Sequence, residues 1–228
     1  MKLANYFRRP RTILLALVCL GGVGIVLKAS SITALVSQIV SRANSVYVTD
    51  DPLLQQRFEG QPRRIIGWST LLPEDEFEVF QKYQSNVDLP LHEQIFTALQ
   101  ASFDDQYQSL RHSMETVPEM NNLSVQLSGF IVPMDTGDEH EILSFFLVPY
   151  YGACIHFPPP SPNQMVYVRT PGGLKIEKIN EPISVSGILQ TSMFEDPMGS
   201  SAYLMDAVSI TPFEGQPDDV REHDFERY

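Results

Sequence analysis

The feature that most limits what this chain can fold into begins at Leu123, where the apolar residues change from helical spacing to strand alternation. Leu123, Val125 and Leu127 alternate with polar residues, and Gly129-Phe130-Ile131-Val132 follows. Alternation puts one set of side chains on one face of a strand, and a glycine inside such a run marks a bulge or a close backbone approach. Asp135-Thr136-Gly137-Asp138 is a turn sequence, and Ile142 to Val148 is nearly continuous in apolar residues, as a central strand would be. Gln164 to Arg169 and Leu174 to Ile179 flank Pro171-Gly172-Gly173, which predicts a hairpin there. Ile183 to Leu189 and Tyr203 to Ile210 complete the set.

Five or six short strands with a glycine-bulged first strand predict a small closed OB-like β-barrel, with a β-sandwich as the alternative. Helices precede it. Arg63 to Trp68 can form a short strand, and Pro73 with Glu74, Asp75 and Glu76 opens a helix whose buried face carries Phe77, Phe80 and Tyr83. Residues 91–114 read as one further helix, with Ile95, Leu99, Phe103, Tyr107, Leu110 and Met114 near i, i+4 spacing. His92 and His112 on it are exposed or capping residues. The expected layout is a signal or anchor over 1–28 and a stalk and linker over 29–62. A globular domain follows over 63–212, helical over 63–116 and barrel over 117–212, and residues 213–228 form a mobile acidic tail. Within the linker, residues 44–62 read as extended, broken at Asp50-Asp51-Pro52.

Residues 1–28 hold five basic residues and no acidic one, and Thr12 to Leu27 is an apolar run interrupted only by glycines. A basic lead before such a run reads as an export signal. No Ala-x-Ala site follows, so the segment reads as an uncleaved anchor through residues 12–27, with cleavage as the alternative. Either way, basic residues staying inside put the body in the periplasm. Without residues 1–28 the chain keeps 11 basic against 28 acidic residues, a formal charge of −17. So acidic a body repels phosphate backbones, which argues against nucleic acid as a partner.

The chemistry-bearing stretch is Tyr150 to Gln164. It holds Cys154, the one cysteine outside the N-terminal apolar run, then His156, and four prolines from Pro158 to Pro162. In extended chain a Cys-x-His pair shares one face with Cα atoms roughly 6–7 Å apart, near enough to reach one metal ion. The other candidate ligands are Asn163, which is near but a poor zinc ligand, and His140, roughly 45 Å of extended chain from Cys154. Asp206 is a further alternative. A thiol enzyme with Cys154 as nucleophile and His156 as base is a second reading, though no oxyanion loop or orienting residue accompanies it. In a third, the proline loop with Tyr150, Tyr151 and Phe157 is a rigid platform that docks a membrane partner. A buried, inert Cys154 stands beside all three.

The run Phe146 to Pro160 contains Tyr-Gly-Ala-Cys-Ile-His-Phe-Pro-Pro-Pro, and with Trp68, Leu71-Leu72-Pro73, Gly129 to Pro133, Val185-Ser186-Gly187 and Tyr203 to Ala207 it resembles a bacterial family of exported proteins. The family is catalogued as a domain of unknown function, and the likeness covers roughly residues 65–212. The resemblance implies an envelope protein, encoded beside ABC-type transporters in some clusters that respond to zinc supply. Together these readings predict a membrane-anchored periplasmic accessory protein, more a binding protein than an enzyme. It would bind or hand over a transition metal, zinc foremost, through Cys154 and His156, and work with an inner-membrane transporter complex.

Overall fold

The structure, a computed structural model, describes residues 44–82, 90–151 and 160–217. Ser45 onward forms one compact unit. Its centre is a barrel of five strands: β3 (Leu123–Thr136), β4 (Ile142–Val148), β5 (Val166–Leu174), β6 (Ile183–Gln190) and β9 (Tyr203–Pro212). Strand β3 pairs antiparallel with β6 along its first half and with β4 along its second. Strand β4 pairs with β5, β5 runs parallel to β9, and β9 returns antiparallel to β6. The circuit therefore closes, and each barrel strand has two partners within the barrel. This is the closed barrel predicted above rather than two stacked sheets.

Gly129 sits where β3 exchanges partners, opposite Ile183 on β6 and one residue before Phe130 meets Val148 on β4. A Cβ there would lie 2.6 Å from the Val148 carbonyl oxygen and 3.0 Å from the Trp68 ring. The close approach read from the sequence is present, and it lets one long strand serve two neighbours.

Inside the barrel Val125, Leu127, Phe145, Leu147, Val166, Val168, Val185 and Met205 are buried. Trp68 plugs this core, fully buried, with its indole Nε1 donating to the Ser128 carbonyl at 2.9 Å. Burying an indole in this way requires such a partner. A smaller outer cluster of Phe130, Phe146, Val148 and Met165 lies on the opposite face of the same strands. Phe194, on strand β7 (Phe194–Asp196), which pairs with β8 (Gly199–Ser201), packs against it and stacks on Tyr167 at 3.6 Å.

Several local expectations change. Residues 44–62 are not a linker: β1 (Tyr47–Val48) pairs with β9, and α1 (Pro52–Glu59) follows. Asp51-Pro52 starts that helix, since Asp51 accepts hydrogen bonds from the Leu53 and Leu54 amides and Pro52 occupies the first turn. Arg63 to Trp68 yields only the two-residue strand β2 (Arg64–Ile65), parallel to β3. Helix α2 (Glu74–Lys82) begins as predicted, with Phe77 and Phe80 packed on the core, while Tyr83 lies outside the described residues.

The single helix expected over 91–114 is two, α3 (Leu91–Phe103) and α4 (Asp105–Leu110), because Asp104 caps the second with hydrogen bonds from Gln106 and Tyr107. The spacing of Ile95, Leu99 and Phe103 is helical, but these residues are exposed rather than buried.

Pro171-Gly172-Gly173 is likewise no hairpin. Strand β5 continues through it, and pairing shifts from Ser144–Arg169 to Ile142–Leu174. Thr170 Oγ1 donates to the Ile142 carbonyl at 2.8 Å, and Gly173 takes a φ of 78° against the Glu141 side chain. The segment is a bulge that only glycine permits. Residues 12–27, and the tail beyond Pro217, lie outside the described residues. Among those described, no helix is long and apolar enough to cross a membrane.

Candidate functional site

Cys154 and His156 lie outside the described residues, but both ends of their segment are defined. On one side β4 ends at Val148, buried in the outer cluster, and the ring of Tyr151 meets Phe130 edge-on at 5.9 Å. On the other, Ser161, Asn163 and Gln164 are buried in the turn Pro162–Gln164. Proline at its start presets φ, and Gln164 N donates to the Ser161 carbonyl at 2.8 Å. Ala202 N reaches the Pro162 carbonyl at 2.9 Å, and Gln164 Nε2 donates to the Trp68 carbonyl at 3.0 Å. The exit of the proline segment is thus tied to the core tryptophan and to β8–β9.

Asn163 is fully buried and its amide is engaged at both ends. Nδ2 donates to Glu76 Oε2 at 2.6 Å and to the Glu115 carbonyl at 3.2 Å, while Oδ1 accepts from Ser161 Oγ at 2.7 Å. The other oxygen of Glu76 bonds the Ser113 hydroxyl. Glu76 is 6% exposed. Burial raises its pKa, against the lowering effect of the Ser113 and Asn163 hydrogen bonds, and the nearby charges of Asp75 and Glu115 raise it further. Beside it the Tyr203 hydroxyl donates to the Leu71 carbonyl at 2.9 Å and accepts from Val117 N at 2.7 Å. Burial pushes that phenol up to about 12. The cluster therefore holds a carboxyl whose pKa burial raises and a phenol that stays protonated at neutral pH.

Glu76 and Ser113 escaped the sequence reading, although a signal existed. Glu76 stands four residues before Phe80 and so falls on the apolar stripe of α2. An acid on a buried face needs neutral partners or a proton.

The remaining candidates do not join this cluster. His140 sits in the β3–β4 turn with a φ of 65°, exposed, its amide donating to the Gly137 carbonyl at 3.1 Å. Asp206 belongs to the outer barrel face, bonded to Arg169 and Gln190. Among the described residues no three His, Cys, Asp or Glu side chains gather to hold a metal ion. With its amide already engaged by Glu76, Glu115 and Ser161, Asn163 does not suit a ligand role.

Comparison with known proteins places this geometry. The chain matches none of the curated proteins. A crystal structure of a DUF3299 family protein from Pseudomonas aeruginosa PAO1 is similar at 30% identity, with a TM-score of 0.51 over 68% of this chain and 99% of that one. The family model described as a protein of unknown function (DUF3299) matches residues 68–212, from the core tryptophan to the last residue of β9. That span is more than half of the chain and contains the whole barrel, so this protein belongs to the DUF3299 family.

Proposed function

We propose that the chain is a binding protein of the bacterial envelope in which an OB-like barrel presents the segment after β4, and that Cys154 and His156 there take a transition-metal ion, zinc foremost, as cargo. The supporting observation is the fixed exit of that segment, where Ser161, Asn163 and Gln164 are buried and bonded to Glu76, Glu115 and Trp68. A ligand pair on a stiff, tied segment loses little entropy on binding. The closed strand circuit and the switch of partners at Gly129 support the OB-like reading. With Asn163 engaged internally, this reading rests on two ligands, Cys154 and His156, where a structural zinc site takes four. Such an open set suits handover, the remaining ligands coming from water or from a partner such as an ABC-type transporter. The N-terminal residues 12–27 would hold the body at the periplasmic face of the inner membrane.

Zinc titration and metal content of the purified full chain test this, wild type against Cys154→Ser and His156→Ala. The expected result is about one zinc per wild-type chain, bound weakly, and loss in both variants. Negligible, unchanged binding in all three overturns it. A docking role without metal is favoured by Tyr151, 56% exposed where the segment begins. It predicts instead that Cys154→Ser is harmless, while changing Pro158 to Pro160 abolishes co-purification with a membrane complex.

A further inference from the structure

A second site lies on the outer barrel face. Cross-strand pairing sets Asp135 of β3 against Ser144 of β4, Ser144 against Arg169 of β5, and Arg169 against Asp206 of β9. Four strands therefore contribute one transverse polar row. The row floors a cleft of about 690 Å³, walled on the other side by Asp51, Leu53, Leu54 and Arg57 at the start of α1. That volume falls within the range of small-molecule sites.

Most polar groups in the row are already oriented. Arg169 Nε donates to Asp206 Oδ1 at 2.7 Å, and Gln190 Nε2 donates to Asp206 Oδ2 at 2.8 Å. Arg57 is held by Asn122 Oδ1 at 2.6 Å, and Asp51 caps α1. Ser144 is the buried exception. It is 5% exposed and lines the cleft, yet its Oγ has no hydrogen-bond partner among the described residues. A buried hydroxyl left unpaired is a cost that a ligand would remove. Next to the row, Tyr167 lines the cleft with its ring held by stacking on Phe194.

We infer that this cleft binds a neutral saccharide. Three aspartates against two arginines, on a chain of net charge −12, reject phosphate-bearing ligands. Arg169 pairs with Asp206, Arg57 bonds Asn122 and Asp51 caps α1, so apart from the exposed Asp135 the cleft presents fixed donors and acceptors rather than free charge. Hydroxyl groups, which donate and accept at once, match that array. Strands roughly 4.8 Å apart repeat the polar groups at about the span of one pyranose ring. A held aromatic ring and the apolar Leu53, Leu54, Leu143 and Pro171 suit the C–H face of a sugar. Strands β4 and β5 are paired on both sides, which leaves no edge for an added peptide strand. Barrels of this size are also known to bind oligosaccharides on the face of the second and third strands, a fold-level analogy that agrees with the chemistry.

Calorimetric titration of the full chain with maltotriose, cellotriose and chitotriose, beside spermidine and a single-stranded oligonucleotide, tests the inference. At least one trisaccharide should bind, weakened about tenfold or more by Ser144→Val. No trisaccharide binding at millimolar concentration overturns the proposal. So does preferential spermidine binding that Asp135→Asn abolishes, since the cleft would then be a cation site. Neither outcome bears on zinc binding at Cys154 and His156.

Discussion

The Asn163 amide donates to Glu76 Oε2 at 2.6 Å, joining residues 87 positions apart in a site neither could form alone. Glu76 comes from the first turn of α2, Ser113 from the chain just after α4, and Asn163 from the end of the proline segment. The carboxyl thus ties its own helix to two otherwise separate pieces.

Replacing Glu76 with Leu should cost about 1–3 kcal/mol, because the buried Asn163 and Ser113 groups lose their partner. Glu76→Gln should cost much less. Its carbonyl can accept from Asn163 and its amide can donate to the Ser113 hydroxyl. Urea denaturation of the two variants at one pH separates them.

The raised pKa of Glu76 has a definite sign in stability. The folded state holds the proton more tightly than the unfolded one, so fewer protons are bound on unfolding. The contribution is whole below the ordinary value of 4.5 and is lost as pH rises through the folded value. Stability measured against pH should therefore fall upward from about pH 4.5 through this group, and the fall should be flattened in Glu76→Gln.

Tyr203→Phe should destabilise by about 1–3 kcal/mol, since the Leu71 carbonyl and the Val117 amide both lose a buried partner. The ring volume is kept, so a shift in urea midpoint without a change in slope is the expected signature.

Gly129→Ala should cost about 3 kcal/mol, because the new methyl would meet the Val148 carbonyl and the Trp68 ring at the strand junction. A lowered melting temperature with altered tryptophan fluorescence would record it. Little change in either would mean that the junction can open.

Leu99→Ser and Phe103→Ser on α3 should each change stability by no more than about 0.5 kcal/mol, since both side chains already face solvent. Thermal melts check this directly.

Much of the barrel was legible in the residues. Alternation from Leu123, the apolar run at Ile142 and the glycine at 129 are consequences of period and sterics, and these act within a few residues. The start of α2 was legible for the same reason. The opening of α1 is equally written in Asp51-Pro52, a cap followed by a first-turn proline, although the same residues also read as a break. Burial of α3 was not legible, since its spacing shows which residues share a face but not whether anything covers that face. The site divides in the same way. Asn163 stood out beside the prolines, whereas Glu76 looked like an ordinary helix-start acid until Asn163 and Ser113 closed over it.

By itself the sequence determined the strand period, the acidic body and the kinship that spans the barrel, because each depends on residue type and near neighbours. Only the tertiary structure decided which acid would be buried, that Pro171-Gly172-Gly173 would bulge rather than turn, and that Asp135, Ser144, Arg169 and Asp206 would share one row. Those outcomes depend on pairing register between distant strands, and a register is chosen by the whole closed circuit rather than by any one segment.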